Sequence, residues 1–291
     1  MMKPVKYKKV PRPTSKMGYC NICSKNKLLT EDHVPPKGCV GINRQQVALL
    51  TEYLSLGQLD KRNAKQIQNG LKFKSICNDC NNRLLGTLYD PSLNEFAQQV
   101  SIIARLIQGG MVLPDPFKVK LKPLPVLKAI VGHLLAARVR SDMTTPLPSA
   151  PFISAMQQFV QQKDALPPEE LRVFCWFYPS DIQVIILGSG IVENIFSEKR
   201  QVIIGDIIKF FPLGFWVTWD HNYNIEMDLN LTEIALRPNI KLSDELEIKL
   251  PLKGIPRIDW PEHQDDSSVM LMHDEYAFIA KKFRRKKMKK A

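Results

Sequence analysis

The sequence predicts an α+β protein: a small zinc-braced strand–strand–helix module, then a larger part with helices first and a mostly antiparallel sheet after them. Three observations predict it. Cys20-x-x-Cys23 and Cys77-x-x-Cys80 supply four thiolates, the ligand set of a closed tetrahedral zinc site. Apolar residues recur at helical spacing between residues 91 and 161. From Leu171 the texture changes to short β-branched and aromatic runs broken by turn residues. Helical runs followed by strand runs are the α+β pattern.

Taken in order, residues 1–16 place Pro4, Pro11 and Pro13 among lysines and read as a basic flexible leader. Residues 17–90 form the cysteine module. Lys27 to Asp32 is a short strand ending at His33, and Pro35-Pro36 stops further pairing. An inserted helical segment is expected over about 40–70, because residues 45–56 have helical spacing and Lys61 to Gln68 extends it. Leu71 to Ile76 returns as a strand, and Cys80 to Leu88 opens a helix with Asn81 in its first turn.

Residues 91–280 form the larger α+β part. Helices are predicted at Pro91–Gln108, Val126–Arg140 and Phe152–Gln161, with a proline-rich loop before the third. Val173–Tyr178 and Ile182–Leu187, separated by Pro179-Ser180-Asp181, read as a hairpin. Gly188-Ser189-Gly190 is a break before the strand Ile191–Phe196. Val202–Phe211, Phe215–Trp219 and Ile225–Leu231 continue the run, and residues 281–291 form a basic tail.

The 291 residues carry 41 Lys and Arg against 29 Asp and Glu, a net charge of +12. Six of those cations lie in residues 1–16 and eight in 281–291, with no acid in either arm. Taking these fourteen away leaves 27 basic against 29 acidic residues, so the basicity lives in the two arms. Such arms bind phosphate by releasing condensed counterions. The cysteine module adds ten cations against six acids, which makes it the better bed for a phosphate backbone. No apolar run approaches the ~20 residues that span a bilayer, and the N-terminus lacks the apolar core of a secretory signal. A cytoplasmic protein with no membrane partner is expected. Cys39 and Cys175 read as free thiols, buried as small hydrophobes.

Between the cysteine pairs lies Thr30-Glu31-Asp32-His33-Val34-Pro35-Pro36-Lys37, and Asn81 directly follows Cys80. A structural zinc needs none of these residues. Together with the cysteine spacing, over roughly residues 18–90, they resemble the HNH, or ββα-metal, endonuclease superfamily. The string Cys77-Asn-Asp-Cys80-Asn81, with Gly86 five residues on, is most similar to its zinc-braced branch, which includes recombination endonuclease VII.

The roles follow from phosphodiester hydrolysis. His33 suits the general base, since imidazole titrates near working pH. Asp32 and Asn81 offer oxygens to a Mg²⁺ or Mn²⁺ ion that stabilises the leaving oxygen. The resemblance implies the same assignment. Adjacent side chains on an ideal strand point to opposite faces, so Asp32 and His33 share one site only if the strand bulges or ends there. Lys37, Lys72, Lys74 and Arg83, with Arg284 and Arg285 of the tail, are candidate phosphate contacts. His133, His221, His263 and His273 lie outside any motif and are read as non-catalytic. The chain departs from the family pattern in its long insert and in Lys72, which stands where a middle asparagine is common.

The leading expectation is a metal-dependent endonuclease acting on DNA, in a layout that suits a phage-defence or restriction effector. The competing one is a non-catalytic zinc-containing protein that binds nucleic acid. Residues 91–280 are a candidate surface for a regulatory partner or a second copy of the chain.

Overall fold

The computed structural model describes residues 12–13, 15–41, 44–57, 64–193, 195–196, 201–219, 229–264 and 266–283. Strands β1 (Met17–Tyr19) and β2 (Asn26–His33) are joined through the first cysteine pair. Then come β3 (Gln45–Leu49), α1 (Leu50–Leu56), β4 (Lys65–Ile67) and β5 (Lys72–Cys77). A π-helical segment, Asp79–Tyr89, runs directly into α2 (Asp90–Gln108). It is followed by β6 (Phe117–Leu121), α3 (Pro123–Ala137) and α4 (Pro151–Gln161). The remaining strands are β7 (Leu171–Phe177), β8 (Gln183–Glu193), β9 (Gln201–Phe210), β10 (Leu213–Trp219) and β11 (Thr232–Glu233), then β12 (Leu246–Leu250), β13 (Val269–Leu271) and β14 (Ala277–Lys282).

These strands build three antiparallel sheets. The first has the order β1-β2-β5, and β6 pairs with β12 in a second. The large sheet has the order β11-β7-β10-β9-β8-β14-β3-β4, with β13 also on β8. The fold is α+β, as the order of helical and strand runs predicts.

The core is organised around α3, a helix buried on every side. An all-round apolar helix is stable only inside a protein. It packs against the π-helical segment, α2, α4 and β5. The approach is close because residue 132 is glycine: a Cβ there would lie 2.4 Å from Leu85 Cδ2. Asn21, inside the first cysteine knuckle, donates through Nδ2 to the carbonyls of Leu135 (3.0 Å) and Arg138 (2.8 Å). Ser75 on β5 donates to the Ala136 carbonyl. Carbonyls left open at a helix end thus find partners on the cysteine module.

Several expectations are corrected. Residues 45–49 are a strand and only 50–56 a helix, since every residue of β3 is paired with β14 in the large sheet. Part of the run expected as helix at Lys61–Gln68 is β4, and residues 58–63 lie outside the described residues. The proposed hairpin at Pro179-Ser180-Asp181 does not form. β7 pairs with β10 and β11, β8 pairs with β9, β13 and β14, and the turn carries a crossover. Gly188 does not end a strand: it sits at a register shift within β8, with φ +65, which glycine adopts without the steric penalty of a side chain. The pairing of β6 with β12, and β14 at the edge of the basic tail, carry no strong sequence signal. The π-helical segment runs on into α2 across residue 90, and one core cluster draws on residues from both sides of it.

Candidate functional site

The Sγ atoms of Cys20, Cys23, Cys77 and Cys80 all lie within 4.8 Å of one another. Cys20, Cys77 and Cys80 are buried and Cys23 is half-buried. The Cys23–Cys77 separation of 3.9 Å suits a tetrahedron of thiolates around one ion at ~2.3 Å. The Cys77 N–H donates to Cys20 Sγ at 3.3 Å, the outer contact that ligating sulfurs use. Without a cation the thiols cannot ionise together. A hydrogen bond from Cys20 pulls Cys23 down to about 2, while the bond to Cys23 pushes Cys20 up to about 12 and Cys80 rises too. This donor set fits a structural zinc.

The knuckles fix where the helix starts relative to β2. β2 and β5 pair through Leu29–Cys77 and Thr30–Ile76, then shift register past Ser75 to Glu31–Lys74, Asp32–Phe73 and His33–Lys72. The π-helical segment begins beside this shift. Asn81 Nδ2 donates to Thr30 Oγ1 (3.0 Å) and to the Glu31 carbonyl (3.0 Å). Thr30 spends its own proton on the Ile76 carbonyl, so it accepts from Asn81 and the amide's orientation is set by its partners. With its NH₂ so engaged, the end of Asn81 left over is the carbonyl oxygen Oδ1.

β2 ends at His33, but the register from Glu31 to His33 is regular, and Asp32 and His33 leave the strand towards opposite sides. His33 is half-buried, and its Nε2 lies 3.0 Å from the Asn69 carbonyl. An N–H at Nε2 satisfies that carbonyl and leaves Nδ1 with its lone pair. Burial, then the Lys72 charge, hold His33 below the ordinary imidazole range. Asn69 and Gly70 both have positive φ, a left-handed turn that delivers the carbonyl to His33.

Asp32 is buried, and its Oδ2 accepts from His133 Nδ1 at 2.9 Å. His133 Nε2 donates to Asp90 Oδ1, also at 2.9 Å. His133 is fully buried on α3 and bridges β2 to the first residue of α2. Burial works against its charge, but Asp32 and Asp90 outweigh it and raise His133 to about 10. Sequence reasoning missed His133 and Asp90. A single imidazole in the run Pro-Leu-Pro-Val-Leu-Lys-Ala-Ile-Val-Gly-His-Leu-Leu was the available signal, since a buried ionisable group demands partners.

Of the proposed phosphate contacts, Lys37 and Arg83 are exposed and Lys74 is half-buried. Lys72 lies 3.7 Å from Glu31 Oε2. Arg284 and Arg285 lie outside the described residues, as does His221. His263 meets Tyr53 edge-on, and His273 accepts from the Glu275 N–H through Nδ1. Cys175 is buried, and half-buried Cys39 donates to Asn94 Oδ1 at 3.0 Å. Among the described residues no helix is long and apolar enough to cross a membrane. Searches of protein-family models, curated proteins and solved structures find no match to this chain.

Proposed function

We propose that the chain is a zinc-braced, divalent-metal-dependent endonuclease acting on DNA, with His33 as general base and Asp32 and Asn81 as metal ligands. The observation that carries this reading is the anchoring of Asn81. Two strands and a helix are clamped at the cysteine cluster, and Asn81 is bonded back to Thr30 and Glu31 with Oδ1 unspent, one residue from the Asp32-His33 pair. A purely structural zinc module has no need of that arrangement.

The residues fit a hard cation. Asn81 offers a neutral oxygen, and Asp32 offers the second oxygen of a carboxylate already oriented through His133, as ligating carboxylates commonly are. Two carboxylates, Asp32 and Asp90, face the single cation of His133, which favours a further cation at Asp32. A Mg²⁺ or Mn²⁺ bound there supplies charge stabilisation for the departing oxygen. His33 takes the proton of the attacking water at Nδ1 while Nε2–H stays on Asn69. Its lowered pKa keeps it unprotonated and ready at neutral pH.

One observation favours a second reading, a non-catalytic zinc-containing protein that binds nucleic acid. Asp32 points into the core towards His133, away from His33, as a structural carboxylate would. Incubating the zinc-loaded protein with supercoiled plasmid and added Mg²⁺ or Mn²⁺ separates the two. Nicked or linear product supports the nuclease; intact plasmid that is still bound supports the second reading.

A further inference from the structure

A cavity of about 470 Å³ opens between β5 and the inserted strands β3 and β4. Its wall carries Arg12, Lys65, Lys72 and Lys74 against one carboxylate, Glu31. That concentration of positive charge stands out in a chain whose body, without its two arms, is near neutral. Lys72 and Lys74 are two residues apart on β5 and so share one face of the strand pair, opposite His33 and Glu31 in the register. Val47, Leu71 and Phe73 also border it but turn their side chains into the core, while Gln66 and Gln68 add exposed side-chain amides. Gly70 belongs both to this cavity and to the surroundings of His33: a Cβ on Gly70 would stand 3.6 Å from His33 Cδ2.

We propose that this cavity is a nucleotide-binding site, in which the basic wall takes phosphate and the two glutamines take sugar and base. The volume is within the ~300–1,000 Å³ of small-molecule sites, and a groove lined with cations is how the backbone of single-stranded nucleic acid is tracked. Five separate stretches border it: the leader at Arg12, Glu31 on β2, the insert at Val47 and Lys65–Gln68, the strand β5, and Val139 after α3. The inserted segment therefore has a use besides packing. Its nucleotide is a unit of the DNA strand lying next to His33; that placement, though not the binding itself, rests on the nuclease reading.

The test is binding without added Mg²⁺ or Mn²⁺, so that catalysis plays no part. A short fluorescein-labelled single strand of DNA is titrated over a salt series with the full-length zinc-loaded chain. The comparison is between wild type, Lys72→Gln/Lys74→Gln, and Lys118→Gln, an exposed lysine on β6. Matching thermal unfolding shows that each variant is folded. The double variant should bind about tenfold more weakly, with a salt slope shallower by about 1.4, and Lys118→Gln should match wild type. Competition by AMP would mean that the cavity accepts a free nucleotide; strand binding without such competition would mean that it takes one only as part of a chain. Equal affinity and salt slope for wild type and the double variant would overturn the site. Binding that depends on Lys72 and Lys74, without any cleavage once Mg²⁺ is added, would sink the nuclease and leave the site standing.

Discussion

Nδ1 of His133 stands 2.9 Å from Oδ2 of Asp32, across 101 residues of sequence. This contact joins the central buried helix to the strand end that carries the proposed chemistry. Because Nε2 is engaged by Asp90, both ring nitrogens are donors and the ring is held as a cation. It has two consequences, one for stability and one for orientation.

His133→Gln leaves two carboxylates facing each other with no cation between them. Loss of one partner from a buried charge cluster costs about 3–5 kcal/mol. Urea unfolding should show a loss of that order, partly restored by adding Asp90→Asn. The pH dependence has a definite sign. His133 is raised to about 10 from an unfolded value near ~6.5, so its stabilisation is complete below ~6.5 and lost as pH rises through about 10. The wild type should lose stability over that window, and His133→Gln should lack that part of the decline.

Removing zinc should do more than loosen the first knuckle. Asn21 holds the Leu135 and Arg138 carbonyls, so the end of α3 depends on the knuckle's shape. Structural zinc contributes about 10–16 kcal/mol in small modules. Elemental analysis should find one zinc per chain, and Cys77→Ser should abolish cooperative thermal unfolding near α3, read by hydrogen exchange of residues 126–137.

Gly132→Ala should destabilise by about 1–3 kcal/mol through overpacking against Leu85. Leu85→Ala in the same chain should give back part of that loss, and a double-mutant cycle with no coupling would refute the proposed contact.

His33 sets the acid limb of cleavage. Burial and Lys72 lower its pKa, so activity should rise with pH around a midpoint below the ordinary imidazole value of ~6.5. Lys72→Gln removes one of those two causes and should move the midpoint upwards. A midpoint that does not move would separate Lys72 from the base.

The four cysteines could be read from the sequence because their spacing alone brings two knuckles together, and the position of Asn81 in the first turn after Cys80 followed. The helices at 91–108 and 152–161 were also legible, since each buries one apolar face. What could not be read depends on pairing over distance. β14 lies between β8 and β3, more than 80 residues from either neighbour, and nothing in Ala277–Lys282 names those partners. β3 resembles a helix start until β14 pairs with it. The direction of Asp32 was equally hidden: the sequence has it share a site with His33 where the strand ends or bulges, whereas the regular register sends it to the other side, to partners on α2 and α3.

The most direct test of the central claim is cleavage of supercoiled plasmid with Mg²⁺ or Mn²⁺, comparing wild type with His33→Ala at matched zinc content. The nuclease account predicts nicked and linear product from wild type and a rate lower by about 10²–10⁴-fold in the variant. Equal cleavage by both proteins would contradict His33 as the base, and no cleavage by wild type at any metal concentration would contradict the nuclease itself.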